Sequence, residues 1–315
     1  MTHDSPLPLN QNLTVYQAAP DYADDLAREL AHMGVVVLAR RDPLFVAEGS
    51  PVDAAWAQNV WLEAMVARVA SIGETARTLR AMQRNWSAVP VGHYRRTALV
   101  VEKLPPVSAR HLVFGAPAPS APLGAFTLWD EHTLIASPRC KSPFANGAPH
   151  FEEDTVNPPN RAYLKLWEAL TLLPERPVPG QLCLDLGGSP GGWAYVLQSL
   201  GARVLCIDKA PLDPRIAHLP LVETCLGSAF ALEPRIAGAV DWLFSDVICY
   251  PERLLQMVRT WLLEGECRRF VCTVKLQGPC EKGTFETLDA FKAIPGSRLM
   301  HLSHNKHELT WIKLA

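Results

Sequence analysis

No C-x-x-C pair occurs among the eight cysteines, and no apolar run approaches the roughly eighteen residues that a membrane-spanning helix needs. Charge of either sign is not in excess, with 30 basic and 32 acidic side chains. The cysteines (Cys140, Cys183, Cys206, Cys225, Cys249, Cys267, Cys272, Cys280) lie mostly inside apolar runs, where a reduced thiol behaves as a small hydrophobe. Neither a disulfide framework nor a structural zinc is therefore expected. The opening MTHDSPLPLNQN has no basic stretch or apolar core of a secretory leader, so a cytoplasmic location away from membranes is the expectation. The first 150 residues carry 13 basic and 13 acidic side chains and the remainder 17 and 19. Neither half is a basic glove, and an RNA or DNA partner would have to be held by a local patch or by its shape.

What is present is a chain of 315 residues, 48% hydrophobic, long enough for two cores. Prolines crowd the stretch from about Ala116 to Asn160 (APAPSAP, ASPRCKSPFANGAPH, VNPPN), which reads as a linker or extended crossing. This predicts an N-terminal domain over 1–148, with the proline-rich linker at its end, and a second domain over 149–315. In the first, Tyr22 to Met33 reads as an amphipathic helix closed by Gly34, and VVVLARRDPLFVAEG as two strands around a turn. Val52 to Arg84 reads as mostly helical and TALVVEKL as a strand. This is a smaller α+β unit without a chemical motif, suited to positioning a substrate.

The second domain alternates. Strands are expected at Leu182 to Leu186, Arg203 to Ile207, Leu221 to Cys225, Asp241 to Ser245 and Phe270 to Val274. Helices are expected between them at Trp193 to Leu200, Pro251 to Glu264 and Thr284 to Ala293, which implies βαβ units on a parallel sheet. SRLMHLS and HELTWIKLA are separated by only a short polar turn, which permits an antiparallel pair but no crossover helix.

Residues 185 to 208 read DLGGSPGGWAYVLQSLGARVLCID. The loop Gly187-Gly188-Ser189-Pro190-Gly191-Gly192 follows the first strand, where ligands of open α/β sheets approach the backbone. It is not G-x-G-x-x-G, so the dinucleotide fingerprint is not met. A ligand without a phosphate, flanked by carboxylates, fits better, and S-adenosylmethionine has that chemistry. Asp185 would order the loop or meet the ligand's ammonium. Asp208 ends the second strand, where an acid hydrogen-bonds ribose hydroxyls. Trp193 would shape the pocket.

D-L-G-G-S-P-G-G-W resembles the first motif of the FtsJ-type ribose 2'-O-methyltransferases, the RrmJ/FtsJ family. The likeness continues through RAYLKLWEAL, VDWLFSDV, FVCTVKLQG and HNKHELTWI. The SPFANGAP, GARVLCIDKAPL and SDVICYPERLLQMVRTWL segments are similar to the RlmM branch, whose members methylate a cytidine ribose of large-subunit ribosomal RNA and carry an N-terminal extension with a THUMP-like part. The resemblance implies a Rossmann-like class I methyltransferase sheet with an antiparallel last strand, S-adenosylmethionine as cofactor, and ribosomal RNA or a ribosome assembly intermediate as partner. It also implies a Lys-Asp-Lys-Glu tetrad at Lys165, Asp246, Lys275 and Glu308, with Asp246 beside the cofactor as well.

Topology independently brings Asp246, Lys275 and Glu308 to one edge of the sheet. Lys165 differs: on its helix the apolar face is Tyr163, Leu166, Trp167 and Leu170, and periodicity turns Lys165 and Glu168 to solvent. In such a cluster a lysine acts as general base toward a ribose hydroxyl, or stays charged and stabilises the developing alkoxide. Lys275 is expected in that role, with Asp246 and Lys165 orienting and tuning and Glu308 holding a lysine in place. One departure is the segment after the third strand, Cys225-Leu226-Gly227-Ser228, where family members usually carry an acid for the adenine amino group. Ser228 or backbone would take that contact. Arg139, Lys141, Arg161, Lys209 and Lys282 are candidates for phosphate contacts. The rival readings are a non-catalytic S-adenosylmethionine- or RNA-binding module of the same fold, or a methyltransferase of a non-RNA substrate. Asn157-Pro158-Pro159-Asn160 lies ahead of the glycine loop, not after the fourth strand, and so does not mark amine methylation. His301, His304 and His307 span a turn without a nearby cysteine, so no metal is expected there.

Overall fold

The computed structural model describes residues 7–8, 13–107 and 111–315. Most of the opening segment and the side chain of Lys282 lie outside the described residues. The chain divides into two compact units, Met1–Leu112 with Pro117–His150, and Val113–Ala116 with Phe151–Ala315.

The first unit holds β1 (Leu13–Ala18), α1 (Ala23–His32), β2 (Val37–Arg41), β3 (Leu44–Glu48), β4 (Ala57–Arg68), α2 (Ile72–Met82), β5 (Trp86–Ala88), α3 (Tyr94–Val101), β6 (Gly124–Leu128) and β7 (Thr133–Ser137). Its sheet runs β2-β3-β1-β4-β7-β6-β5. Three expectations fail here. Val52 to Arg84 is not mostly helical: β4 occupies its first half, and α2 begins only where Ser71 Oγ accepts the Glu74 amide at 3.1 Å while Glu74 accepts the Ala70 amide at 2.7 Å. Ala, Leu, Met and Glu favour a helix, but β4 is paired on both sides, by β1 and β7, with Val60, Trp61, Ala64 and Val66 buried. Tertiary pairing overrides so weak a preference. TALVVEKL is not a strand; its first half ends α3, which buries Thr97 and Val100 on one face. The proline-rich stretch is not a linker throughout, because β6 and β7 form inside it and bury all their residues. Its prolines flank that hairpin and leave both strands free to pair.

The second unit follows the expected alternation. It contains α4 (Ala162–Leu172), β8 (Leu182–Leu186), α5 (Gly192–Ser199), β9 (Arg203–Asp208), α6 (Pro214–Ala217), β10 (Val222–Leu226), α7 (Pro234–Ala237), β11 (Trp242–Ser245), α8 (Pro251–Glu264), β12 (Arg269–Lys275), α9 (Lys282–Lys292), β13 (Ser297–Met300) and β14 (Glu308–Lys313). The sheet order is β10-β9-β8-β11-β12-β14-β13. From β10 to β12 every neighbour is parallel, whereas β14 runs antiparallel to both β12 and β13. Strand order reverses between β8 and β11, which opens a crevice at their carboxyl ends. The inner strands are apolar on both faces, with Leu184, Leu186, Leu243, Phe244, Val271 and Val274 buried, as a sheet covered by helices on both sides requires. Among the described residues no helix is long and apolar enough to cross a membrane.

Candidate active site

The glycine loop sits at the carboxyl end of β8, against the chain that leaves β11. Gly187 has φ +83°, and a Cβ there would fall 2.7 Å from that of Val247. A Cβ on Gly188 would meet the Asp185 carboxylate at 2.6 Å. Gly191 and Gly192, at the start of α5, are crowded by Ile216 and Asn160. The bareness that the sequence suggested for a ligand is thus also demanded by the protein's own packing. The Ser189 amide donates to Asp208 Oδ2 at 3.0 Å and its hydroxyl to the Pro211 carbonyl at 2.9 Å, while the Ser189-Pro190 peptide is cis. Asp208 also accepts the Ala210 amide through Oδ1 at 2.9 Å, so it shapes the loop and keeps lone pairs free.

Asp185 is fully buried. Its Oδ2 is approached by the Cys206 thiol at 3.7 Å, and its Oδ1 has no hydrogen-bond partner. Burial first, and then the negative charge of Asp246, push its carboxyl up to about 7. Trp193 is buried in an edge-on contact with Phe244, and its indole N–H donates to the Ala162 carbonyl at 3.0 Å. Its place in the structure is to tie α5 to the first turn of α4. Ser228 Oγ accepts the Phe230 amide at 3.3 Å and so closes the turn after β10.

Lys165, Asp246, Lys275 and Glu308 meet. Three come from adjacent strand ends: Asp246 directly follows β11, Lys275 ends β12, and Glu308 opens β14 opposite Lys275 in register. Lys165 arrives from α4 and lies 3.0 Å from Asp246 Oδ1 and 2.6 Å from Glu308 Oε1. Lys275 lies 3.0 Å from the same Asp246 oxygen and 3.7 Å from Glu308 Oε2. Two cations and two carboxylates balance, which lets the cluster leave water without an unpaired charge. The Lys165 and Glu308 side chains are 7% and 9% exposed, those of Asp246 and Lys275 19% and 22%, so the cluster opens on the Asp246 and Lys275 side. Burial works against the Lys165 ammonium, but Asp246 and Glu308 outweigh it and hold the group above the ordinary lysine range. Burial likewise opposes the Asp246 carboxylate, and the two lysines win, holding it below the usual range.

The reading of Lys165 as a solvated lysine is therefore wrong, and so is that of Glu168. From Tyr163 to Thr171 every residue of α4 is buried, because the turn after β13 covers the side away from its apolar stripe. Glu168 is the anchor: its carboxylate accepts the Ser303 amide and hydroxyl, each at 2.8 Å, and the His304 amide at 3.1 Å, and binds the His304 ring Nδ1 at 2.6 Å. This fixes the turn that delivers Glu308. A signal existed in the sequence, since Glu168 stands one helical turn from Lys165 on the same face. His301 instead bonds the Lys306 carbonyl at 3.1 Å, and burial pushes its ring down to about 4. Among the described residues no group of histidines, cysteines and acids is arranged to hold a metal ion. Of the basic residues expected at phosphates, Arg139, Lys141 and Arg161 are each paired, with Glu63, Asp53 and Glu153. Lys209 is exposed.

A parallel sheet with a topological switch at β8 and β11, closed by an antiparallel strand between β12 and β13, defines the class I S-adenosylmethionine-dependent methyltransferase fold. Residues 158–264, within the second unit, match the family described as FtsJ-like methyltransferase. The chain is 39% identical over 161 residues to the Ribosomal RNA large subunit methyltransferase M of Halorhodospira halophila, covering 49% of this chain and 46% of that protein. It is 34% identical over 189 residues to the protein so named in Stenotrophomonas maltophilia, covering 56% and 52%. The chain thus matches about half the length of these curated relatives. Among solved structures, the Methanococcus jannaschii fibrillarin pre-rRNA processing protein has a TM-score of 0.37 at 20% identity over 49% of this chain and 76% of that one. The magnesium protoporphyrin IX methyltransferase of Synechocystis has 0.31 at 14% identity over 43% and 71%. Both likenesses are too distant to bear on function.

Proposed function

We propose that the protein is an S-adenosylmethionine-dependent RNA methyltransferase that modifies a ribose 2'-hydroxyl of ribosomal RNA, free or in an assembly intermediate, in the cytoplasm. The observation that carries this reading is the convergence of Lys165, Asp246, Lys275 and Glu308 beside the glycine loop. The relatives' names support the RNA substrate. The loop fits the cofactor: the buried, unpartnered Asp185 Oδ1 suits an ammonium, and the remaining lone pairs of Asp208 suit ribose hydroxyls. Gly187, Gly188, Ser189, Pro190, Gly191 and Gly192 would line the approach, with Trp193 supporting them from beneath, Ser228 near the adenine, and Asp246 at the reacting end.

When bound, S-adenosylmethionine supplies the methyl group, its sulfonium becoming a neutral thioether. Lys275, on the open side of the cluster, takes the proton of the ribose hydroxyl in its neutral amine form, as the oxygen bonds the methyl carbon and the carbon–sulfur bond breaks. Asp246 accepts from both lysines and so fixes the direction of the Lys275 amine. Lys165 is the permanently charged member, pinned by two carboxylates, which suits orientation and not proton transfer. Glu308 holds Lys165. Residues 1–148 would position the RNA for the catalytic domain at 149–315.

The test is transfer of labelled methyl to total RNA from a strain lacking this gene. Wild-type protein should leave label that resists alkaline cleavage, since a methylated 2'-oxygen cannot attack the adjacent phosphate. Lys275→Ala should reduce the rate by about 10²- to 10⁴-fold, the usual contribution of a general base. Label that is alkali-labile, or that persists in Lys275→Ala, refutes the reading; binding of cofactor with no transfer to any RNA points to a non-catalytic module.

A further inference from the structure

The chain leaving β11 puts two large apolar side chains into water beside the open side of the cluster. Burial alternates along it: Val247 packs against Gly187 and Cys249 is half-buried, whereas Ile248 is 81% and Tyr250 62% exposed. The segment is fixed at both ends. Ser245 is bonded to the Leu186 carbonyl at 2.9 Å, and the Tyr250 carbonyl accepts the Arg253 and Leu254 amides as α8 begins. Ile248 and Tyr250 therefore lie two and four residues beyond Asp246, on a stretch anchored at each end. Solvent-facing side chains of this size on an anchored segment next to a reactive cluster are a contact surface.

Charge around them selects the occupant. The exposed Arg253 stands over the Phe230 ring at 4.0 Å one turn into α8, and Lys275 opens at the neighbouring strand end. Apolar and aromatic surface with an exposed guanidinium beside it suits a flat base carried on a phosphate backbone. We infer that Ile248 and Tyr250 form a stacking surface for an unpaired base of the RNA next to the ribose held at Lys275. This rests on the proposed function. An unstacked base lying on Tyr250 would hold its nucleotide out of helical RNA and expose the neighbouring 2'-hydroxyl to the cluster.

The experiment is fluorescence anisotropy of ribosomal RNA fragments, drawn from RNA the wild-type protein methylates, against wild type, Tyr250→Ala, Ile248→Ser and Leu263→Ser. Leu263, 85% exposed near the far end of α8, is the control for loss of an exposed apolar side chain. Tyr250→Ala should weaken binding roughly 5- to 150-fold, the range for one base stacked on an aromatic. Ile248→Ser should weaken it less, and Leu263→Ser not at all. The slope of affinity against salt should stay that of wild type, since no phosphate contact is lost. Unchanged melting temperatures show that the variants fold. Wild-type affinity in both Tyr250→Ala and Ile248→Ser overturns the inference, as does a shallower salt slope. If wild type itself neither binds nor methylates RNA, it is the proposed function that falls.

Discussion

Replacing Lys165 with methionine keeps the length of the side chain and removes the cation that stands between Asp246 and Glu308. Both carboxylates then depend on Lys275 alone, at 3.0 and 3.7 Å. Removing one partner of a buried ion pair costs about 3–5 kcal/mol, and the surviving lysine puts this case at the lower end, about 3 kcal/mol. For a unit of this size that is a fall in melting temperature of roughly 6–12 °C. The pH dependence is the sharper signature. The depressed Asp246 contributes stability that is fully present above its unfolded value of 3.8 and lost as pH falls through its lower folded value. Without Lys165 the carboxylate moves upward and is least comfortable when ionised. The deficit of Lys165→Met should therefore be largest near about pH 7 and narrow below about pH 5, as the carboxylate takes up a proton. Urea melts of both proteins across that range are the assay. The double variant Lys165→Met with Glu308→Gln, which restores charge balance, should recover part of the stability and none of the methyl transfer. A deficit independent of pH, or no deficit at neutral pH, would refute the view of these four residues as one buried ionic network.

Asp185 has the opposite sign: because its folded value is raised to about 7, it contributes stability that is present below its unfolded value of 3.8 and lost as pH rises through 7. Asp185→Asn should flatten that slope, and S-adenosylmethionine binding just below about pH 7 should release a proton in the wild type only, read by calorimetry in buffers of different ionisation heat; equal heats sink the assignment of this carboxylate to the ammonium. Gly187→Ala combines a positive φ with a 2.7 Å approach to Val247, and should destabilise by about 1–3 kcal/mol. Adding Val247→Ala should recover little of this in thermal melts, because the nearest atoms, the Cβ and Cα of residue 247 at 2.7 and 2.9 Å, are both kept. Glu168→Ala leaves the Ser303 and His304 donors without their acceptor, for about 1–3 kcal/mol, and should open the 301–307 turn to protease before the unit melts; protection as in wild type would show that another contact holds the turn.

The second unit was readable because its signals agree: short apolar runs spaced by helical segments imply a βαβ sheet, and the short turn before β14 forces its direction. Asp246, Lys275 and Glu308 follow from that topology. Lys165 does not, since helical periodicity reports which face is apolar and not whether a distant turn covers the other one. The cover over Glu168 comes from Ser303 and His304, more than a hundred residues downstream. In the first unit two failures share one cause. The Ala, Leu and Met of β4 and the valines of α3 state local preferences of a few tenths of a kcal/mol per residue, which pairing and burial outweigh, whereas the prolines flank β6 and β7 and oppose neither strand.

The loop of residues 185–208 is local in sequence, whereas the charged cluster needs α4 and β14, residues 165 and 308, in contact. Loop-closure entropy favours forming the compact βαβ element that carries the glycines before that long loop closes. On the proposed function, a chain caught partway would have its glycine loop formed while Lys275 lacked the carboxylates that aim it. Incomplete molecules would then be silent, and the proposed methyl transfer would report a finished fold.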